Sequence, residues 1–367
     1  MAQWNRVSLI DYIELIGGGT PKTTVPEYWN GNIPWLSVKD FNNDKRYVYS
    51  TEKHISQSGF ENSPTKMLHK DDIIISARGT VGEIAMIPFD MAFNQSCYGI
   101  RASRGIDQPF LYYLLKNCIS QLKRMTHGSV FDTITRDTFA NIEVDIPDAE
   151  TQKRISSVLA DIDNKIEVND AINDNLQQQA QAIYSSMFID NPDPAWSHGH
   201  LSDLITVKYG KDHKKLADGI YPVYGSGGIM RHVERPLYNK ESVLIPRKGT
   251  LNNVVYVNQP FWSVDTMFYT EMKLPNVAKF VYHFVKAKDL AAMNAGSAVP
   301  SMTTDILNAM EVVIPSASAL EEFESLVAPM YEAMKANDVQ SQALSKMRDA
   351  LLPKLMSGEI DVSAVRL

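Results

Sequence analysis

Residues 128–147 read GSVFDTITRDTFANIEVDIP, and residues 296–315 read GSAVPSMTTDILNAMEVVIP. Displaced by 168 positions, eight of the twenty residues are identical, among them Thr135/Thr303, Asp137/Asp305 and the closing Pro147/Pro315. The same displacement continues without a gap into the following segments, where Asn169-Asp170 meets Asn337-Asp338 and Leu176 meets Leu344. Upstream, KDDIIISARGT (70–80) matches KESVLIPRKGT (240–250) at a displacement of 170. Earlier still, Trp4, Leu9, Asp11, Ile13 and Gly18 recur as Trp196, Leu201, Asp203, Ile205 and Gly210 at 192. Three blocks in one order, each matched, mean an internal duplication. The first copy carries 22 extra residues between Gly18 and Lys70, which are expected in a surface loop.

Each copy has the same internal order. Short apolar runs such as 72–76 and 242–245, broken by Gly, Pro and Asn, read as strands and turns of a compact α+β domain. Residues 110–125 and 277–293 read as helices. After Pro147 and Pro315 a long helical pattern follows. Its heptad columns in the first copy are Ile155, Ile162, Asn169, Leu176, Ile183 and Leu159, Ile166, Asn173, Ala180, Met187. In the second they are Phe323, Met330, Asn337, Leu344, Leu351 and Val327, Met334, Ser341, Arg348, Leu355, with Pro329 near the start and Pro353 near the end. Such seams imply left-handed coiled-coil packing. About 40 residues would make roughly 60 Å of helix, more than one domain can cover, so the two helices are expected to cover each other.

The expected fold is therefore α+β. Two similar domains, residues 1–149 and 190–315, are joined by long antiparallel coiled-coil helices, residues 150–189 and 316–367, the latter including a tail, with pseudo-two-fold symmetry. In antiparallel register, facing residues have numbers summing to about 510. Asn169 then faces Ser341 and Asn173 faces Asn337, a polar layer that can fix register at some cost in stability.

Composition bounds the function. Of 367 residues, 44% are hydrophobic and 22% charged, as in ordinary globular protein. No leader-like apolar run and no membrane-length apolar run is present. The two cysteines, Cys97 and Cys118, lack metal or disulfide spacing and suit a reducing cytoplasm. Net charge is −7, yet residues 208–248 hold nine Lys/Arg against four Asp/Glu, and local charge matters more for nucleic acid than the total. The eight histidines show no metal spacing, and no catalytic triad can be assigned from the sequence. Asn32-Ile33-Pro34-Trp35 is superficially like the Asn-Pro-Pro-aromatic motif of adenine methyltransferases, but Ile33 replaces a proline and no glycine-rich cofactor turn follows a strand. Gly17-Gly18-Gly19-Thr20-Pro21-Lys22 is not a P-loop, although its turn could bring backbone N–H groups and Lys22 to phosphate.

Those six residues, followed by Glu27-Tyr28-Trp29-Asn30-Gly31-Asn32-Ile33-Pro34-Trp35, resemble the opening of a target recognition domain in the specificity subunits of type I restriction–modification systems. IIISARGTVGEIA (73–85) and residues 155–188, with Asp161-Ile162-Asp163 and a Gln-rich end, are similar to the same family. The resemblance covers essentially the whole chain, in the order domain, helix, domain, helix. The second copy departs from it, with Tyr209-Gly210-Lys211-Asp212 in place of GGGTPK.

The resemblance implies a non-catalytic subunit that reads a bipartite target on double-stranded DNA. Its partners would be two copies of a modification methyltransferase subunit and a restriction motor–nuclease subunit, with no membrane. It would hold no cofactor; S-adenosylmethionine would bind the modification partner, which methylates adenine N6. The candidate DNA-contacting residues are Thr20, Lys22, Lys39, Arg78, Lys211, Lys214, Lys215, Arg247 and Lys248. Their cations would neutralise phosphates or pair with guanine edges. Arg78 and Lys248 stand out because they occupy equivalent places beside Gly79-Thr80 and Gly249-Thr250. The competing reading is a scaffold whose repeated domains bind proteins.

Overall fold

The computed structural model describes residues 4–126, 133–293 and 301–365; the first five residues of each quoted repeat block lie outside them. The chain divides into two compact units. One comprises residues 1–171 with 337–367, the other residues 172–336.

In the first unit, β1 (Asn5–Ser8) and β2 (Ile13–Gly17) lead to β3 (Trp29–Leu36). Then come α1 (Val38–Phe41), β4 (Lys53–Ile55), α2 (Gln57–Glu61), β5 (Met67–Leu68), β6 (Ile73–Ser76), β7 (Ile84–Met86), β8 (Met91–Phe93) and β9 (Cys97–Ala102). Helix α3 (Gln108–Thr126), α4 (Arg136–Ala140), β10 (Glu143–Ile146) and α5 (Ala149–Ser185) follow. An antiparallel sheet orders β2-β9-β6-β7, a mixed one orders β4-β3-β8-β5 with β3 and β8 parallel, and β1 pairs with β10. Helix α3 closes the core by burying Phe110, Leu111, Tyr112, Tyr113 and Leu115 completely, each worth roughly 1.5–3 kcal/mol of transfer free energy.

The second unit repeats this plan. Its elements are β11 (Ser197–His200), α6 (Leu201–Leu204), β12 (Ile205–Tyr209), β13 (Asp218–Gly225), β14 (Gly228–Val233), β15 (Ser242–Pro246), β16 (Val255–Val257), β17 (Trp262–Ser263) and β18 (Met267–Met272). Then come α7 (Ala278–Lys286), α8 (Thr304–Asn308), β19 (Glu311–Ile314) and α9 (Ala317–Met356). The sheets are β12-β18-β15-β16, β14-β13-β17 with β13 and β17 parallel, and β11-β19. The repeated residues have backbone tasks. Thr135 and Thr303 cap α4 and α8, each hydroxyl accepting from an N–H three residues on at 3.3 Å.

Three sequence expectations need correction. The extra residues of the first copy do not form a plain loop. Trp35 and Ala92 are paired across β3–β8 and lie 57 positions apart; their counterparts Val223 and Trp262 lie 39 apart. Most of the excess therefore falls after β3, where Ser37 and Asp40 form a capping box for α1. The helix expected over 277–293 ends at Lys286, after which the chain turns and buries Leu290. Pro329 lies well inside α9, and the helix runs through it; Phe323, Val327 and Tyr331 on either side are buried, and this packing offsets the lost backbone hydrogen bond.

Each unit pairs part of α5 with part of α9, antiparallel. In the first unit the seam holds an ion-pair network rather than a wholly apolar column. Arg348 donates to Asp163 at 2.9 Å and to Asp44 at 2.7 Å, Lys116 reaches Asp44 at 2.8 Å, and Tyr113 donates to Asp163 at 2.7 Å. Arg348 and Asp163 are both 3% exposed. Nearly two turns on, Asn169 is fully buried. Its Nδ2 donates to Gln340 Oε1 at 2.9 Å, Ser341 Oγ at 3.1 Å and the Asn337 carbonyl at 3.4 Å, while its Oδ1 has no hydrogen-bond partner. Beyond α9, Gly358 turns the chain with φ +72° against Trp4, and Arg154 binds the Val362, Ser363 and Val365 carbonyls.

In the second unit Asn173 Nδ2 donates to the Met334 carbonyl at 3.3 Å. The seam then leaves the expected column. Ile183 and Met187 are only partly buried, whereas Tyr184 and Phe188 are buried against Phe280 and Phe323. A π-helical turn at Ser186–Asp190 accompanies this shift in register. His283 lies fully buried beside this cluster. Its Nδ1 donates to Gln181 Oε1 at 2.8 Å and its Nε2 accepts from the Tyr331 hydroxyl at 2.9 Å.

Two predictions follow from these buried polar groups. Arg348→Ala leaves Asp163 buried without its ion-pair partner and should cost about 3–5 kcal/mol in denaturant unfolding. A double-mutant cycle with Asp163→Ala should show coupling above about 1 kcal/mol; additive losses would remove the pair from this role. Burial lowers the His283 pKa to about 4. The unfolded chain takes up a proton near pH 6.5 that the folded chain refuses until about 4, so stability is lost as pH falls through that window, by about 3 kcal/mol. His283→Gln should flatten the loss between pH 7 and pH 4.5, and an unchanged slope would contradict it.

Candidate nucleic-acid interface

In each unit, most of the candidate residues lie on loops that leave neighbouring strand ends, Lys39 on α1 excepted. In the first unit, β2 ends at Gly17 opposite Tyr98, and β6 ends at Ser76 opposite Cys97. The loops leaving that edge carry Thr20 and Lys22, Arg78, and Gln95. Thr20 Oγ1 is hydrogen-bonded to Gln95 Oε1. The Ala77 and Arg78 N–H groups both donate to the Ser96 carbonyl, at 2.8 and 3.2 Å. Gly79 follows with φ +77°, a left-handed turn that glycine tolerates without strain, and the Arg78 side chain stands exposed beside it.

The Gly17-Gly18-Gly19 turn has an internal reason. A Cβ on Gly18 would collide with the Asn94 carbonyl oxygen. The Gly19 N–H donates to the Phe93 carbonyl at 2.9 Å, and Trp35 Nε1 donates to the Gly19 carbonyl at 3.1 Å. The Gly19 N–H is thus already engaged within the fold, which leaves Lys22, exposed at the end of the turn, as its cationic group. Lys39 lies on α1, 3.9 Å from Glu52, so part of its charge is answered within the chain.

The second unit builds the same edge from different side chains. β12 ends at Tyr209 opposite Phe268, and β15 ends at Pro246 opposite Met267. A Cβ on Gly210 would collide with the Val264 carbonyl, Lys211 N–H donates to the Ser263 carbonyl at 2.8 Å, and Trp262 Nε1 donates to the Lys211 carbonyl at 2.8 Å. Arg247 and Lys248 N–H groups both donate to the Thr266 carbonyl, at 2.8 and 3.3 Å, and Gly249 has φ +85°. Arg247 also stacks over the Tyr209 ring at 5.3 Å and donates to the Asp265 carbonyl at 3.2 Å. Lys214 and Lys215 are exposed on the 210–217 loop, where the Asp212 carboxylate, also exposed, accepts from the Lys214 N–H at 3.1 Å. Asn169, Asn173, Asn337 and Ser341 lie on the helices and take no part in either edge.

Gln95, Asp265 and the Ser226–Gly228 turn were not among the candidates. Asn94-Gln95-Ser96 and Val264-Asp265-Thr266 share a displacement of 170 but no identity, so the repeat does not flag them. Burial pushes the Cys97 thiol up to about 12 and the Cys118 thiol to about 11, well away from a neutral-pH thiolate. Among the described residues no group of three His, Cys, Asp or Glu side chains could hold a metal. No helix among them is long and apolar enough to cross a membrane.

The chain as a whole resembles known proteins. The model of the type I restriction modification DNA specificity domain matches residues 1–178 and again residues 195–322. The type I restriction enzyme MjaIX specificity subunit of Methanocaldococcus jannaschii is 26% identical, over 98% of this chain and 94% of that one. The EcoprrI specificity subunit of Escherichia coli is 22% identical, over 91% and 90%. The S subunit of a type I restriction–modification system from M. genitalium shares the fold, with a TM-score of 0.57, 17% identity and 96% of each chain covered. Two matches to one recognition-domain model, spanning both strand-edge clusters, place the chain in the family of type I restriction–modification specificity subunits.

Proposed function

We propose that this chain reads a bipartite sequence on double-stranded DNA for a type I restriction–modification complex, one half with each unit. The observation that carries the reading is the duplicated edge. Arg78-Gly79 and Lys248-Gly249 leave equivalent strands, are held by equivalent backbone bonds and present a cation at the same place. A cation beside a left-handed glycine turn suits phosphate or guanine contact. The long helices act as spacer and as the docking surface for two copies of the modification subunit. Val168, Leu326, Val339 and Met347, between 47 and 61% accessible, offer apolar contacts on the outer faces of those helices. S-adenosylmethionine and the adenine chemistry belong to that partner, and a motor–nuclease subunit joins for cleavage. The complex works in the cytoplasm.

Binding of the assembled modification complex to a target duplex, titrated with salt, tests this reading. Arg78→Ala and Lys248→Ala should each weaken binding across all sequences and reduce the slope of log K against log salt by about one. An unchanged slope would remove that residue from the interface. Replacing residues 1–149 with the corresponding domain of a relative should alter one half of the recognised sequence; alteration of both halves would contradict independent reading.

A further inference from the structure

The second unit carries apolar side chains that its core does not absorb. Ile220, Ile229 and Met230, on the β13–β14 hairpin, are 79, 52 and 60% exposed. Two of them sit at irregularities in the pairing. Ile220 lies in the bulge between the Asp218 and Tyr221 pairs, and Met230 is the extra residue between the Val223–Arg231 and Tyr224–Ile229 pairs. A bulge re-aims a side chain that regular alternation would turn into the sheet.

The hairpin closes on Gly225-Ser226-Gly227-Gly228. One of these glycines is needed by the turn itself: Gly228 has φ +114°, whereas a Cβ on Gly225 would meet the flexible Met230 Sδ at 2.7 Å. Gly227 is different: a Cβ there would meet nothing within 4 Å, and its φ lies outside the left-handed region. Neither a steric contact nor a left-handed φ calls for glycine at 227, and its bare backbone is open to close approach by something outside the chain.

The tip lies among the cations. A Cβ on Gly249 would stand 2.7 Å from Ser226 Oγ, which places the tip against the Lys248-Gly249 turn. On the other side, a Cβ on Gly225 would lie 3.6 Å from Val264 Cγ2, and the Val264 carbonyl abuts Gly210, next to Lys211. Met230 is thus an exposed apolar group between two basic loops. Two carboxylates near the tip are engaged: Asp212 by the Lys214 N–H at 3.1 Å and Asp218 by Arg231 at 2.9 Å. An apolar tip ringed by cations fits a duplex, whose phosphates answer the charges and whose major groove offers one apolar group, the thymine 5-methyl.

We propose that the β13–β14 hairpin enters a DNA groove, with Gly227 the point of closest backbone approach and Met230 in contact with a thymine methyl. The proposal rests on the reading of this chain as a DNA-specificity subunit. The first unit has no such hairpin, because α1 stands between β3 and β4.

The test uses the full modification complex and a duplex bearing its methylated target, with each thymine replaced in turn by uracil. In the wild type, one position in one half-site should weaken binding about fourfold on losing its methyl. Met230→Ala should abolish the difference between thymine and uracil at that position alone. Gly227→Ala should melt as the wild type does, yet bind the target about tenfold more weakly. Indifference of the wild type to every uracil, an unaltered uracil response in Met230→Ala, or full affinity in Gly227→Ala would overturn the proposal. Loss of sequence-specific binding by the wild-type complex would instead count against the functional reading beneath it.

Discussion

The buried pair between Asp163 and Arg348 joins residues 185 positions apart and ties the two helical segments of the first unit together. Its hydrophobic core is not closed by residues 4–159 alone; Leu352, Leu355, Met356 and Val362 belong to the same cluster as Leu9, Ile75 and Tyr113. The second unit has the same requirement. Ala180, Tyr184 and Phe188 from one helix and Leu320, Phe323, Val327 and Tyr331 from the other complete a core that also holds Leu201 and Phe268. Each globular module is therefore finished by helical segments that the chain delivers from both sides. Closing such loops is entropically costly and makes folding slow relative to local helix pairing. Polar groups in the seam, Arg348 and Asn169 above all, add little net stability but penalise any slipped register.

This dependence shapes the candidate interface. The loops that carry Arg78 and Lys248 are short and leave the ends of buried strands, β6 and β15, whose described side chains are all inaccessible. Rigid strand ends hold the cations at defined places, while the loop and hairpin sequences are free to differ. The two copies keep the glycine that lets β2 or β12 pass the neighbouring carbonyl and keep the glycine after the cation. They differ in nearly everything that projects outward. Such a division lets one scaffold present two different reading surfaces.

The duplication was legible in the sequence because its identical positions have backbone work to do. Thr135 and Thr303 cap helices, Gly79 and Gly249 adopt left-handed angles, and Gly18 and Gly210 leave no room for a side chain. Helix pairing was legible from heptads, except where local packing took over. At Tyr184 and Phe188 large aromatic rings won the core from Ile183 and Met187 and displaced the seam. At Arg348 a seam position holds a charge, because its partners Asp163 and Asp44 come from distant chain that no period reveals. The candidate site was only partly legible. Cations beside repeated glycines could be found by alignment of the copies. Gln95, Asp265 and the tip at Ser226–Gly228 could not, since they are brought to the edge by strand pairing rather than by any shared residue type.

The most direct measurement is single-molecule sequencing of methylated genomic DNA from host cells with and without the gene for this chain. The account predicts that one split, asymmetric motif carrying N6-methyladenine disappears when the gene is removed and returns when it is restored. An unchanged set of methylated motifs in an otherwise intact modification system would contradict it.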